Sequence, residues 1–85
     1  MPAEPTPEQS ARRLLDVFAH AHNEQLRAGQ VLSRGPARIE FLKDRRWHVQ
    51  DFVAALHYAS EHRWIKIPSP TVIRLTEDGY RAAAP

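Results

Sequence analysis

The 85-residue sequence has no cysteine, so neither a disulfide framework nor a thiolate-held metal can staple its fold. Its three glycines, Gly29, Gly35 and Gly79, are too scattered to form a phosphate-cradling loop. Apolar runs are only a few residues long, too short for a membrane-spanning helix, and no membrane partner is expected. Met1 to Gln9 has no basic stretch followed by an apolar one; no secretory leader is read there, and the expected compartment is the cytoplasm. Among the five histidines, His20 and His22 are two apart and point to different helix faces, while His57 and His62 are five apart. Without a His-x-x-x-His pair, no metal site is expected. The serines (Ser10, Ser33, Ser60, Ser69) have no nucleophile-type neighbourhood. The expectation is a non-enzymatic protein without a cofactor.

Hydrophobic residues make up 42% of the chain and charged residues 26%, the balance of a globular protein. A chain of this length makes one domain near the low end of what a single core supports, so packing must supply the stability. Phe18, Phe41, Trp47, Phe52, Tyr58, Trp64 and Tyr80 are the large pieces available for it.

The net charge of +2 is unevenly spread. Met1 to Ser33 carries three Arg against four acids, and Val49 to Pro85 balances four against four. Between Arg34 and His48, five cations (Arg34, Arg38, Lys43, Arg45, Arg46) face Glu40 and Asp44, a local excess of +3. A confined basic patch attracts polyanions even when the mean charge is modest.

Residues 1–5 read as a loose tail and 6–85 as the domain. Thr6-Pro7-Glu8-Gln9 has capping-box spacing with proline at the first helical position. Ala11, Leu14, Leu15, Phe18, His22 and Leu26 then recur at helical spacing, and Gly29 is the expected stop. Gln30–Ser33 reads as a brief strand. A second helix is expected from Pro36 to Lys43 with Ile39 and Leu42 on its apolar face, and Asp44–Arg46 as the turn out of it. A third helix runs from about His48 to His62, burying Phe52, Ala55, Leu56 and Ala59 and turning Gln50, Ala54, His57 and Glu61 outward. The period then changes to two. Trp64–Ile67 and Thr71–Leu75 form a hairpin around Pro68-Ser69-Pro70, with Ile65, Ile67, Ile73 and Leu75 inward and Lys66, Val72 and Arg74 outward. Thr76 caps a closing helix with Glu77 and Asp78 in its first turn, and Tyr80 and Ala83 are expected to pack it onto the body. The fold class is mainly α with a small β-hairpin.

Residues 51–80 resemble the second half of bacterial winged helix-turn-helix regulators. Phe52, Leu56 and Ala59 match the core of their recognition helix, Trp64-Ile65 the start of the wing, and Leu75-Thr76-Glu77-Asp78-Gly79 the closing Leu-Thr-x-x-Gly segment. Arg63 stands where that family prefers glycine, and Arg45-Arg46-Trp47 replaces its tight Leu-Gly turn. The resemblance implies a duplex-DNA-binding domain of a transcriptional regulator or an accessory DNA-binding protein. The alternative is a winged-helix protein-interaction module, because the same fold serves that use.

For DNA, the candidate residues are Arg45, Arg46, His48, Gln50 and His57 around the third helix, where arginine suits guanine and glutamine suits adenine. Arg38 and Lys43 are placed near the phosphate backbone, and Lys66 and Arg74 on the wing. Trp47 is either a hydrophobic plug or an exposed contact beside Arg45 and Arg46. A homodimer or a protein partner through the first helix is the remaining expectation.

Overall fold

In the computed structural model, which describes residues 4–83, the capping box at Thr6 is formed as the sequence predicts. The Thr6 hydroxyl accepts from the Gln9 amide at 3.1 Å, and the Gln9 side chain accepts from the Thr6 amide at 2.9 Å. Helix α1 follows over Pro7–Ala21 and ends well before Gly29. Asn23 and Glu24 take positive φ of 57° and 64°, and their amides donate to the carbonyls of His20 and Ala19. This left-handed closure satisfies the last carbonyls, and asparagine tolerates the conformation better than most residues. Gly29, at φ 91°, serves the next turn, where its amide donates to the Leu75 carbonyl. Of the expected tail, residues 1–3 lie outside the described residues.

Strand β1, Val31–Ser33, leads directly into α2, Arg34–Phe41, which begins two residues before Pro36. Proline is tolerated there because the first amides of a helix have no intrahelical acceptor. The buried positions of α2 are Ala37 and Phe41, four apart on one face. Ile39 therefore points away and is 66% exposed, contrary to its expected place in the core. Helix α3, Val49–Glu61, buries Phe52, Ala55, Leu56 and Ala59 as expected, together with Asp51. These residues join Ala11, Leu14, Leu15 and Phe18 of α1 in one core. Phe41 meets both Phe52 and Trp47 edge-on, at 5.3 and 5.5 Å between ring centres. Trp47 is thus a half-buried plug between α2 and α3.

Helix α3 closes as α1 does. Arg63 has φ 60°, its amide donates to Ser60, and the Trp64 amide reaches back to Ala59. Strands β2, Ile65–Ser69, and β3, Val72–Leu75, form the expected hairpin, and β1 pairs with the other side of β3 to give an antiparallel sheet of order β1-β3-β2. Ile65, Ile73 and Leu75 are buried, but Ile67 is 40% exposed. The register shifts between Lys66 and Ser69, and Pro68, which has no amide to donate, sits in that interval on the edge strand. The irregularity turns Ile67 away from its expected inward side. The hairpin's tip is Pro70-Thr71, since Pro68 and Ser69 belong to β2.

Thr76 starts α4, Glu77–Ala83, by accepting from the Gly79 amide at 3.0 Å while its hydroxyl donates to the Arg63 carbonyl. The Thr76 amide donates to the Trp64 carbonyl at 3.0 Å. Gly79 lies against that same carbonyl and the Leu75 side chain, leaving no room for a Cβ. Ala82 and Ala83 pack on the core, whereas Tyr80, expected to do so, is 42% exposed. Among the described residues the architecture is therefore α+β, with four helices and a three-stranded sheet.

Three substitutions test this packing by thermal or urea denaturation. Phe52→Ala removes a ring exposed by only 2% and should cost roughly 2–5 kcal/mol. Gly79→Ala should cost about 1–3 kcal/mol through overpacking. Gly35→Ala, whose added methyl meets nothing within 4 Å outside its chain neighbours and its own helix, should instead change stability by less than about 1 kcal/mol, because the helix propensity gained is opposed by the restriction Pro36 places on the residue before it. Equal melts for the two glycine variants would contradict the close packing of α4 on the Trp64 corner.

Candidate functional site

Because α3 buries one side against α1, its other side is left open. Val49, Gln50, Val53, His57, Ser60 and Glu61 are exposed there, with Val49 and Val53 at 47% and 49%. The helix itself contains no lysine or arginine. Val53, Leu56, His57, Ser60 and Glu61 form one wall of a groove whose other sides are Arg34 at the start of α2 and Ile67 on β2. The His57 Nδ1 lies 3.5 Å from the Glu61 carboxylate, so that pair shares the far half of the groove.

At the leading end of α3, Arg45, Arg46, Trp47, His48 and Gln50 line a second cleft, opposite Arg12, Arg13 and Asp16 of α1. Asp51 also reaches this end, but its carboxylate is turned inward. It is 8% exposed and accepts from the His48 backbone amide at 2.8 Å, capping the helix. The α1 arginines are committed to the fold. Arg12 donates to the Ala82 carbonyl and lies over the Trp64 ring, and Arg13 donates to the carbonyls of Glu40 and Phe41 at the end of α2. Partial burial, opposed by Arg13 and reinforced by Glu24, holds the Asp16 carboxyl above its usual range. The α1 side of the cleft is therefore of mixed charge, and its cationic side is the Asp44–His48 turn.

Two of the expected cations already have acidic neighbours. Lys43 is 2.9 Å from Glu40, and the hydrogen bond it donates, against some desolvation, holds that carboxyl below its usual range. Arg46 lies 3.7 Å from Asp44, whose other oxygen accepts from the Arg46 amide. Among the described residues, the ion pairs leave Arg13, Arg27, Arg34, Arg38, Arg45, Arg63, Lys66 and Arg74 without an acidic partner, and of these Arg13 is held by the backbone carbonyls of Glu40 and Phe41.

The nine expected site residues fall into separate places. Arg45, Arg46, His48 and Gln50 converge on the leading end of α3, and His57 lies further along its open face. Arg38 is exposed on α2, one turn beyond Arg34, with Lys43 just past that helix. Lys66 and Arg74 are register partners on the exposed side of the sheet, and Lys66 also borders a hollow shared with Ser60 and Ile67. Arg34, Val53 and Ile67 belong to the open groove and were absent from the expected set. For Val53 a signal existed: it stands three residues after Gln50 and four before His57, on the same helical face.

Among the described residues, no three His, Asp or Glu side chains are gathered to hold a metal ion, and no helix is long and apolar enough to cross a membrane. Comparison with protein-family models, with curated proteins and with solved structures finds no match.

The inward role of Asp51 is open to test. Asp51→Ala should lower stability by about 0.5–2 kcal/mol through loss of the cap. Glu61→Ala, whose exposed carboxylate meets only His57, should change it by less than about 0.5 kcal/mol. Chemical denaturation of the two variants beside the parent distinguishes a capping carboxylate from a surface charge.

Proposed function

We propose that this protein is a winged-helix domain that binds duplex DNA, placing α3 in the major groove, as part of a transcriptional regulator or an accessory DNA-binding protein. The observation that carries the reading is the open face of α3. Gln50 and Val53 are uncommitted there, with His57 beside Glu61, while unpaired cations stand on the elements that flank it. Phosphate contacts position a protein on DNA and base-edge contacts specify sequence, and this division of residues suits both tasks. The order α1-β1-α2-α3-β2-β3 and the sheet order β1-β3-β2 agree with the winged-helix plan. So does the positive φ of Arg63, at the position where the resembling regulators prefer glycine.

A protein-interaction role is the second reading, favoured by the half-exposed Val49, Val53 and Ile67 beside a helix without basic residues. Its contact surface is that same groove. The first helix contributes no exposed large apolar side chain among the described residues, which argues against it as a hydrophobic dimer seam.

Salt dependence separates the two readings. Neutralising three to five phosphates per protomer gives a log–log slope of roughly −3 to −5 against random duplex. Arg34→Ala with Arg45→Ala should flatten that slope by up to about 2 and weaken all sequences alike. Lys43→Ala should change it less, since Glu40 already offsets that charge. Absence of duplex binding by the parent at low salt favours the protein-interaction reading.

A further inference from the structure

We infer that the open face of α3 reads an A·T core within its DNA site, using Val49 and Val53 against thymine methyl groups and Gln50 against adenine. This rests on the duplex-DNA reading and specifies the sequence class that the site prefers.

The argument begins with what the face lacks. Guanine offers two acceptors, N7 and O6, in the major groove, and the side chains that best read it are the fixed or long donors of arginine and lysine. Neither type occurs between Val49 and Glu61. The cations nearest in sequence, Arg45 and Arg46, lie in the turn ahead of the helix, and Arg63 follows its end. Their places suit phosphates bordering the groove. The positions that can approach base edges from the helix carry other chemistry.

Thymine presents a methyl group in the major groove, and adenine presents a donor beside an acceptor, a pattern that the amide of glutamine complements. Val49 and Val53, 47% and 49% exposed, are branched apolar side chains one helical turn apart. Four residues of helix advance about 6 Å, close to two base-pair steps of about 3.4 Å. The two valines therefore match methyl groups on neighbouring or next-neighbouring pairs. Gln50 adjoins Val49 and stands on the Val53 side of the exposed face. Apolar groups held open on a small domain lose hydration cost on meeting such methyls, which gives the two exposed valines a matching surface. Glu61, the exposed acid of α3, stands at its far end, three turns from Val49, beyond this core.

The test starts with selection from a random duplex library at low salt. A run of A·T pairs at the core of the recovered sites is expected. On one recovered duplex, replacing thymine by uracil at the core removes only the methyl groups. For the parent this should weaken binding roughly three- to fivefold per methyl, the change expected for re-exposing one carbon's worth of apolar surface. For Val53→Ala, the penalty at one core position should largely vanish. Gln50→Ala should reduce discrimination at one pair by about fivefold or more. Both side chains are exposed, and unchanged melts confirm that the variants fold. Recovered sites with a G·C core, duplex binding without base preference, or equal affinity for thymine and uracil duplexes would overturn the inference while leaving DNA binding intact. Failure of the parent to bind any duplex at low salt would overturn the DNA reading and the inference together, assigning the valine patch to a protein contact.

Discussion

The open face of α3 exists because of the seam on its other side. Phe52, Ala55, Leu56 and Ala59 pack with Ala11, Leu14, Leu15 and Phe18 of α1, and Phe41 closes the end of that core against Phe52. Each fully buried large side chain contributes about 1.5–3 kcal/mol of transfer free energy. In a chain without a crosslink, that packing must offset the entropy of ordering. The seam also sets orientation. One residue of slip rotates a helix by about 100°, which would carry Val53 and His57 toward the side and bring buried positions into solvent. The core thus fixes which α3 residues are presented on its open face.

A second constraint fixes the sheet relative to that helix. The corner at Arg63-Trp64 ends α3 in a left-handed turn, and Thr76 binds the two carbonyls of that corner by its hydroxyl and its amide. Gly79 packs on the Trp64 carbonyl from the α4 side, so the end of α3, the return of β3 and the start of α4 meet at one point. The direction of β2 follows from this junction. It brings Ile67 into the groove beside Ser60 and Glu61, and Lys66 to the adjoining hollow that shares Ser60 and Ile67.

Much of this was legible in the residues because it is local. The Thr6–Gln9 box, the buried spacing of α3 and the Thr76 cap each depend on side chains within a turn or two of one another. What escaped depends on partners distant in sequence or on backbone states that several residue types can adopt. The end of α1 is set by Asn23 and Glu24 in the left-handed region, while the more obvious glycine stop lies further on. Pairing of β1 with β3 joins segments about forty residues apart, which alternation within either strand does not reveal. Ile39 was paired with Leu42 by helical spacing and Ile67 placed inward by strand alternation, and the frame of Ala37 and Phe41 in one case, and the β2 irregularity in the other, turned them out. Val53 was overlooked for the converse reason: an apolar residue on the open face is invisible to a search for polar contacts.

Counting charge by segment located the cationic region but not the residues that carry its excess. Within residues 34–48, Glu40 and Asp44 lie beside Lys43 and Arg46, so the uncompensated charge falls on Arg34, Arg38 and Arg45. Exposed pairs of this kind are held by about 1 kcal/mol or less, and a phosphate can compete for either cation. The three unpaired arginines incur no such exchange, and they lie on α2 and in the turn ahead of α3 rather than on the helix that presents Gln50 and Val53. In the proposed complex, non-specific affinity and base preference therefore reside on different elements. Salt screens the first strongly, whereas methyl contact and amide pairing inside the groove are much less sensitive to it. Rising ionic strength should consequently release the protein from all duplexes while its ranking of sequences changes little, a behaviour that follows from a reading helix with no positive charge of its own.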